Sequence, residues 1–189
     1  MRQKSLKSDL RKIMREKRKL IAPEIEALAM YQVKLNLMPL LANAQRVAVY
    51  FKAGSELSLG ATIDYCLTHG ISVFTPIATH ATRQMYFEQL FTNSPRPVFY
   101  PEDYFAYNKI AADELDLVLL PLLAVDKTGV RLGQGGGYYD ATLANCHKRP
   151  LLCGVGYSWQ LIDNLPHESW DIKLDYFVSE TGLIKFSGV

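Results

Sequence analysis

Apolar residues recur at helical spacing near the start of the chain, at Leu6, Leu10, Ile13, Met14 and Leu20, and predict a helix over residues 5–20. Lys7, Arg11, Arg15 and Arg18 stand three or four apart and share another face of that helix. Pro23 opens a second helix, expected over 24–41, with Glu24 and Glu26 in the first turn where the helix dipole favours acids. Beyond it the pattern changes to short apolar runs. Those at 47–51, 71–76, 117–125, 151–157 and 176–179 read as strands. A helix is expected over 56–69, stopped at Gly70, and a short one around 141–144. Residues 84–91 read as a β segment crossing the sheet edge. Residues 92–108, rich in Pro, Tyr and Phe without a period, read as a long functional loop. Strands alternating with helices predict an α/β protein with a largely parallel central sheet and helices on both faces. Ligands of such a sheet bind beyond the carboxyl ends of its strands.

Size and composition narrow the picture. A chain of 189 residues, 49% hydrophobic, can bury one good core, and its length suggests a single domain spanning 1–189. The net charge of +2 is unevenly placed: residues 1–19 hold nine basic side chains against Asp9 and Glu16. Such a basic segment suits an anionic ligand, a nucleic acid or an organelle. It lacks the serine content of a transit peptide, the apolar core of a signal peptide and the interleaved aromatics of a nucleic-acid arm. No run approaches the roughly 18 apolar residues of a membrane span. Cys66, Cys146 and Cys153 are widely spaced and outside any motif, and read as reduced thiols of a cytoplasmic protein.

Candidate chemistry concentrates in Arg131-Leu132-Gly133-Gln134-Gly135-Gly136-Gly137-Tyr138-Tyr139-Asp140. Four glycines within residues 133–137 let backbone N–H groups converge without side chains in the way. Between a strand and a helix such a loop cradles an anion. Arg131 adds a cationic fork and Asp140 a carboxylate able to hold a metal. No Gly-Lys-Ser/Thr follows, so this is not a Walker A loop, and its place in the chain does not suit a dinucleotide fingerprint. The expectation is a phosphate-handling site.

The pattern Arg-Leu-Gly-x-Gly-x-Gly-Tyr-Tyr-Asp resembles the signature of the 5-formyltetrahydrofolate cyclo-ligase family, and residues 131–140 match every defined position. The resemblance extends to Lys7–Arg11, Val47–Glu56, Met85 with Phe87, Pro121 with Asp126 and Gly129, Gly154–Gln160, and Asp171–Asp175. The pattern departs where 108–112 carries no proline, where Trp170 precedes Asp171, and where Ala141 replaces a frequent arginine.

The resemblance implies a single-domain three-layer α/β/α fold, and ATP-dependent conversion of 5-formyltetrahydrofolate to 5,10-methenyltetrahydrofolate with Mg²⁺. It implies an ATP site at Lys7, Arg11, Arg131, Gly133, Gln134, Gly135, Gly136, Gly137, Tyr138 and Tyr139, to which the basic helix of residues 1–20 contributes. It implies folate contacts at Phe51, Glu56, Gln134 and Tyr138, magnesium at Asp140 and Asp171, and catalytic roles for Arg131 and Tyr139. Bland alternatives stand beside these: Glu56 as a first-turn helix acid, Phe51 as a core aromatic, Asp171 as part of a turn into a strand. Arg15, Arg18 and Lys19 are expected to be solvated, and His147 and His167 carry no assigned role. A cytoplasmic monomer is expected, acting on small molecules, possibly polyglutamylated folate among them, without nucleic acid or membrane. The competing readings are an ATP-dependent relative with another amide-like substrate, and a non-catalytic folate- or nucleic-acid-binding protein on the same scaffold.

Overall fold

The computed structural model describes residues 2–78, 83–91, 105–168 and 171–186. Two long helices open the chain, α1 (Arg2–Lys19) and α2 (Pro23–Leu41). The strands β1 (Arg46–Ala48), β2 (Ser72–Ala78), β3 (Met85–Phe91), β4 (Phe105–Ile110), β5 (Leu117–Pro121) and β8 (Leu151–Val155) build the main sheet with β10 (Tyr176–Ser179) and β11 (Gly182–Lys185). Its order is β11-β10-β8-β5-β1-β2-β3-β4. The five strands from β10 to β2 are parallel, and β11, β3 and β4 join antiparallel at the edges.

Alternation along the strands sends residues to two cores. Val47, Val73, Leu117, Leu119, Cys153 and Val178 pack under α2 and α3 (Gly60–Thr68). Ala48, Phe74, Val118, Leu120, Leu152 and Phe177 face the opposite side, which α4 (Tyr138–Leu143) and a 3₁₀ turn at Ala112–Glu114 cover. The expected three layers are present, with much the thinner helical layer on the second side. Among the described residues no helix is long and apolar enough to cross a membrane.

Several boundaries differ from the expectations, each for a physical reason. The run at 117–125 is two strands, because the chain bends at Leu122–Leu123. There Gln160 Nε2 donates to both carbonyls at 3.0 and 2.8 Å, and Arg18 donates to Leu122 at 3.0 Å. A continuous apolar run carries no mark of such a bend. After it, β6 (Ala124–Asp126) pairs with β7 (Arg131–Leu132) and β9 (Leu161–Ile162) in a second, three-stranded sheet. The helix expected from Glu56 starts four residues later, since Leu57 and Leu59 are buried and the Tyr50 hydroxyl donates to the Leu57 carbonyl at 2.8 Å. The 105–108 end of the expected long loop belongs to β4; residues 92–104 and Trp170 lie outside the described residues.

All three cysteines are free: Cys66 and Cys153 are buried and Cys146 half-buried. Burial pushes the Cys66 thiol up to about 12, so it stays protonated.

Candidate active site

The chain leaves β1 for β2 on one side and reaches β5 and β8 on the other, so β1 and β5 flank the switch point of the sheet. Open α/β sheets hold ligands there. The glycine loop follows β7, beyond the carboxyl end of β5, and Arg131 reaches back to donate to the Pro121 carbonyl at 3.4 Å. The β6–β7 turn is held by Asp126, which is buried. Its carboxylate accepts from the Thr128 N–H and hydroxyl at 2.8 Å, and from the N–H groups of Val130 and Leu165 at 3.1 and 3.0 Å. Gly129 has φ +83, and a Cβ there would lie 2.8 Å from the Leu174 carbonyl oxygen. Only glycine fits that approach.

The same turn brings in the second aspartate. Val130 bridges Lys173, and the Leu174 N–H donates to Gly129 at 2.9 Å, so the 171–175 segment runs alongside the start of β7. The Ile172 N–H then donates to Asp140 at 3.4 Å. Asp140 and Asp171 therefore stand beside one loop. Each carries a cation: Arg131 lies 3.5 Å from Asp140, and Lys7 lies 2.6 Å from Asp171, the latter pair 15% and 17% exposed. Asp140 Oδ2 and Asp171 Oδ1 have no hydrogen-bond partner among the described residues. Among the described residues no group of three or more His, Cys, Asp or Glu side chains could hold a metal. The donor set fits Mg²⁺ that arrives with phosphate oxygens and waters, since two carboxylates can share such an ion with them.

Helix α1 lies against the loop along its basic face. Arg11 Nε donates to the Gly133 carbonyl at 2.9 Å, and its guanidinium carbon is 3.5 Å from where a Cβ on Gly135 would stand. Burial, then the neighbouring Arg15, hold the Arg11 pKa below its ordinary value, with Asp171 opposing. Arg15 Nε donates to Gln134 Oε1 at 3.0 Å, and its terminal nitrogen to the Gln134 carbonyl at 3.3 Å. Arg18 is only 4% exposed and donates to Ser55 Oγ at 3.1 Å as well as to Leu122. Arg18 is thus buried, contrary to expectation; Arg15 stays partly exposed while meeting the loop, and Lys19 pairs with Glu16 on the surface. The helical spacing of Arg15 and Arg18 from Lys7 and Arg11 was the signal available for both. Below them Met14 packs with Leu123, Val130, Leu132 and Leu165, fixing α1 on the second sheet.

Glu56 is not the first-turn helix acid of the bland alternative. It is 4% exposed in the turn before α3, where it accepts from the Ala53 N–H at 3.1 Å and from Gln134 Nε2 at 3.0 Å. Phe51 is half-buried and packs on the core beneath α2 and α3. Tyr138 packs on the opposite core, and its ring lies 2.9 Å from where a Cβ on Gly136 would stand. Tyr139 lies under the Arg131 guanidinium, 5.4 Å from carbon to ring centroid. Burial raises the Tyr139 phenol well above its ordinary value, with Arg131 opposing, so it remains a neutral donor. Gly137, with φ 71, caps α4, a helix of only six residues.

A glycine-rich cradle at the switch point of a parallel sheet, walled by cationic side chains and two aspartates, has the make-up of an α/β phosphate-handling protein. The family model of the 5-formyltetrahydrofolate cyclo-ligase family matches residues 3–180. The chain belongs to that family of enzymes. It is 32% identical over 139 residues to the 5-formyltetrahydrofolate cyclo-ligase of Haemophilus influenzae, covering 70% of this chain and 74% of the relative. To that of Escherichia coli K12 it is 29% identical over 183 residues, covering 88% and 96%. Its fold is similar to 5,10-methenyltetrahydrofolate synthetases from Aquifex aeolicus (TM-score 0.77, 26% identity, 97% of this chain and 94% of the other) and Mycoplasma pneumoniae (TM-score 0.76, 23% identity, 92% and 98%).

Proposed function

We propose that this site closes 5-formyltetrahydrofolate to 5,10-methenyltetrahydrofolate at the expense of ATP, releasing ADP and phosphate. The formyl group is an amide carbon whose oxygen leaves poorly. Transfer of the γ-phosphoryl group to that oxygen breaks the bond to ADP and makes an imidate-like phosphate. Attack by the nitrogen at position 10, with loss of its proton, forms the new C–N bond, and the formyl oxygen departs within the phosphate. Such a reaction asks the protein chiefly for alignment and charge neutralisation.

One observation carries this function: α1 lays Arg11 and Arg15 along the glycine loop and Lys7 on Asp171 beside it, and the same loop holds the buried Glu56 carboxylate through Gln134. In this assignment Lys7, Arg11, Arg131 and the amides of Gly133–Gly137 take the ATP phosphates. Glu56 accepts N–H groups of the pterin, and Phe51 and Tyr138 form apolar walls. Arg131 neutralises charge building on the transferred group, and the neutral Tyr139 phenol donates a hydrogen bond there. Asp140 and Asp171 would hold Mg²⁺, which supplies Lewis-acid neutralisation of the phosphate oxygens when bound.

The direct test follows methenyltetrahydrofolate by its absorbance, with 5-formyltetrahydrofolate as substrate. Product should form only with ATP and Mg²⁺ together. Product without ATP, or none under any of these conditions, would overturn the assignment.

A further inference from the structure

The loop pattern leaves its fourth position undefined, and in this chain Gln134 occupies it. That residue joins two charged groups from different elements. Gln134 Nε2 donates to Glu56 Oε1 at 3.0 Å, while Gln134 Oε1 accepts from Arg15 Nε at 3.0 Å. The polarity of this chain is fixed from both ends. A guanidinium can only donate and a carboxylate only accept, so the amide has one orientation that satisfies both. Arg15 therefore holds the Gln134 amide in place, and the amide occupies one oxygen of a carboxylate that is only 4% exposed.

Arg15 also belongs to the cationic cluster, close enough to Arg11 to depress its pKa. The acceptors it now uses, both on Gln134, are neutral amide oxygens. A phosphate oxygen is the stronger acceptor, because charge-assisted hydrogen bonds are roughly twice as strong as neutral ones. Phosphate settling on α1 thus draws Arg15 from Gln134. The amide then loses its anchor, and Glu56 Oε1 is free to accept from a ligand.

We propose that Gln134 is a positioning residue that caps Glu56 until nucleotide binds, so that phosphate on α1 opens the folate-reading carboxylate. This rests on the assignment of ATP to α1 and folate to Glu56 given above. It makes nucleotide binding tighten folate binding, and by linkage the reverse by the same factor.

The experiment measures the Kd of 5-formyltetrahydrofolate by calorimetry, with and without a saturating non-hydrolysable ATP analogue and Mg²⁺. It compares the wild type with Gln134→Met, which keeps side-chain length and removes both hydrogen bonds. Gln134 is exposed at the loop surface, so the variant is expected to fold. The wild type should bind folate about fivefold or more tightly with the analogue, the lower range of measured couplings. In Gln134→Met that ratio should fall to within about twofold of unity. Arg15→Met, which cuts the other end, should also lose the coupling. A merely structural role would weaken folate binding without changing the ratio. Retained coupling in Gln134→Met, its absence from the wild type, or weaker folate binding with the ratio intact each overturns the cap. A wild type that forms no methenyl product with ATP and Mg²⁺ fails at the earlier assignment instead.

Discussion

Glu56→Gln probes the site at its most constrained point. The carboxylate lies between two donors, the Ala53 N–H at 3.1 Å and Gln134 Nε2 at 3.0 Å. A glutamine offers one oxygen and one NH₂. If its oxygen serves Ala53, its NH₂ faces the NH₂ of Gln134. If Gln134 turns over to relieve that clash, its NH₂ faces the Arg15 Nε–H donor instead. One donor–donor conflict survives in every arrangement. A conflict left at the buried carboxylate costs about 1–3 kcal/mol, and less if turning Gln134 moves it to the exposed Arg15 contact, where water can serve the donors. At roughly 2–4 °C per kcal/mol for a chain of this size, the melting temperature should fall, by up to about 12 °C. The buried Arg18 guanidinium also loses the charge that most favours its ionised form, which acts in the same direction. Folate should suffer further, because a hydrogen bond to a charged acceptor is worth about 1.5–3 kcal/mol, or roughly ten- to 150-fold in Kd. Thermal melting combined with separate calorimetric titrations of 5-formyltetrahydrofolate and an ATP analogue checks both parts. An unchanged melting temperature with unchanged folate affinity would refute the network. Lost ATP binding with intact folate binding would move Glu56 to the nucleotide side.

Arg11→Ala should raise the apparent KM for ATP roughly ten- to 150-fold, for the loss of one charge-assisted hydrogen bond, and should raise that for folate far less; equal effects in steady-state kinetics would make the helix purely structural. Asp140→Asn should lower turnover by about 100-fold or more, the scale of one preorganised electrostatic contact. Its effect on thermal unfolding should stay small, since Asp140 is 29% exposed and stands 3.5 Å from Arg131, and asparagine keeps an oxygen acceptor there; full turnover at ordinary Mg²⁺ would exclude the metal role. Gly154→Ala would place a Cβ 2.5 Å from Leu174 Cδ1 and 2.6 Å from Leu122 Cδ2. Overpacking of that kind costs about 1–3 kcal/mol, and a melting temperature equal to wild type would show that the two leucines yield freely.

Periodicity alone placed α1 and α2 within a few residues and located every parallel strand of the sheet, because amphipathic spacing and β-rich runs record burial directly. It did not show the bend at Leu122–Leu123. That bend is made by Gln160 and Arg18, 37 to 38 and 104 residues away in sequence. The two-residue strands β7 and β9 were also missed, being too short to show a period. In the site, the glycine pattern and its flanking Arg131 and Asp140 were legible as local chemistry. The resemblance, rather than spacing, singled out Glu56 and Asp171. Neither route found Arg15 and Arg18, since a basic helix face looks the same in sequence whether it meets water or a loop.

What separates the cations is the charge of the acceptors they use. Lys7 and Arg131 each face an aspartate, at 2.6 and 3.5 Å, and so form locally neutral pairs. Among the described residues, Arg11 and Arg15 have only neutral oxygens as acceptors: the Gly133 carbonyl, the Gln134 carbonyl and the Gln134 amide. Neutral amide acceptors are weaker partners for a guanidinium than phosphate oxygens, so exchanging one for the other favours the ligand. The two arginines therefore supply the uncompensated positive charge of the loop, while the two pairs hold Asp140 and Asp171 beside it without repelling an incoming polyanion. In the proposed function, magnesium on the aspartates would free Lys7 and Arg131 for the phosphates, and the four cations that brace the loop would become ligand contacts. This division explains why the fold places a basic helix at its amino end across a glycine loop more than 100 residues later. In the proposed site the loop amides would supply the shape for an anion, and α1 the charge.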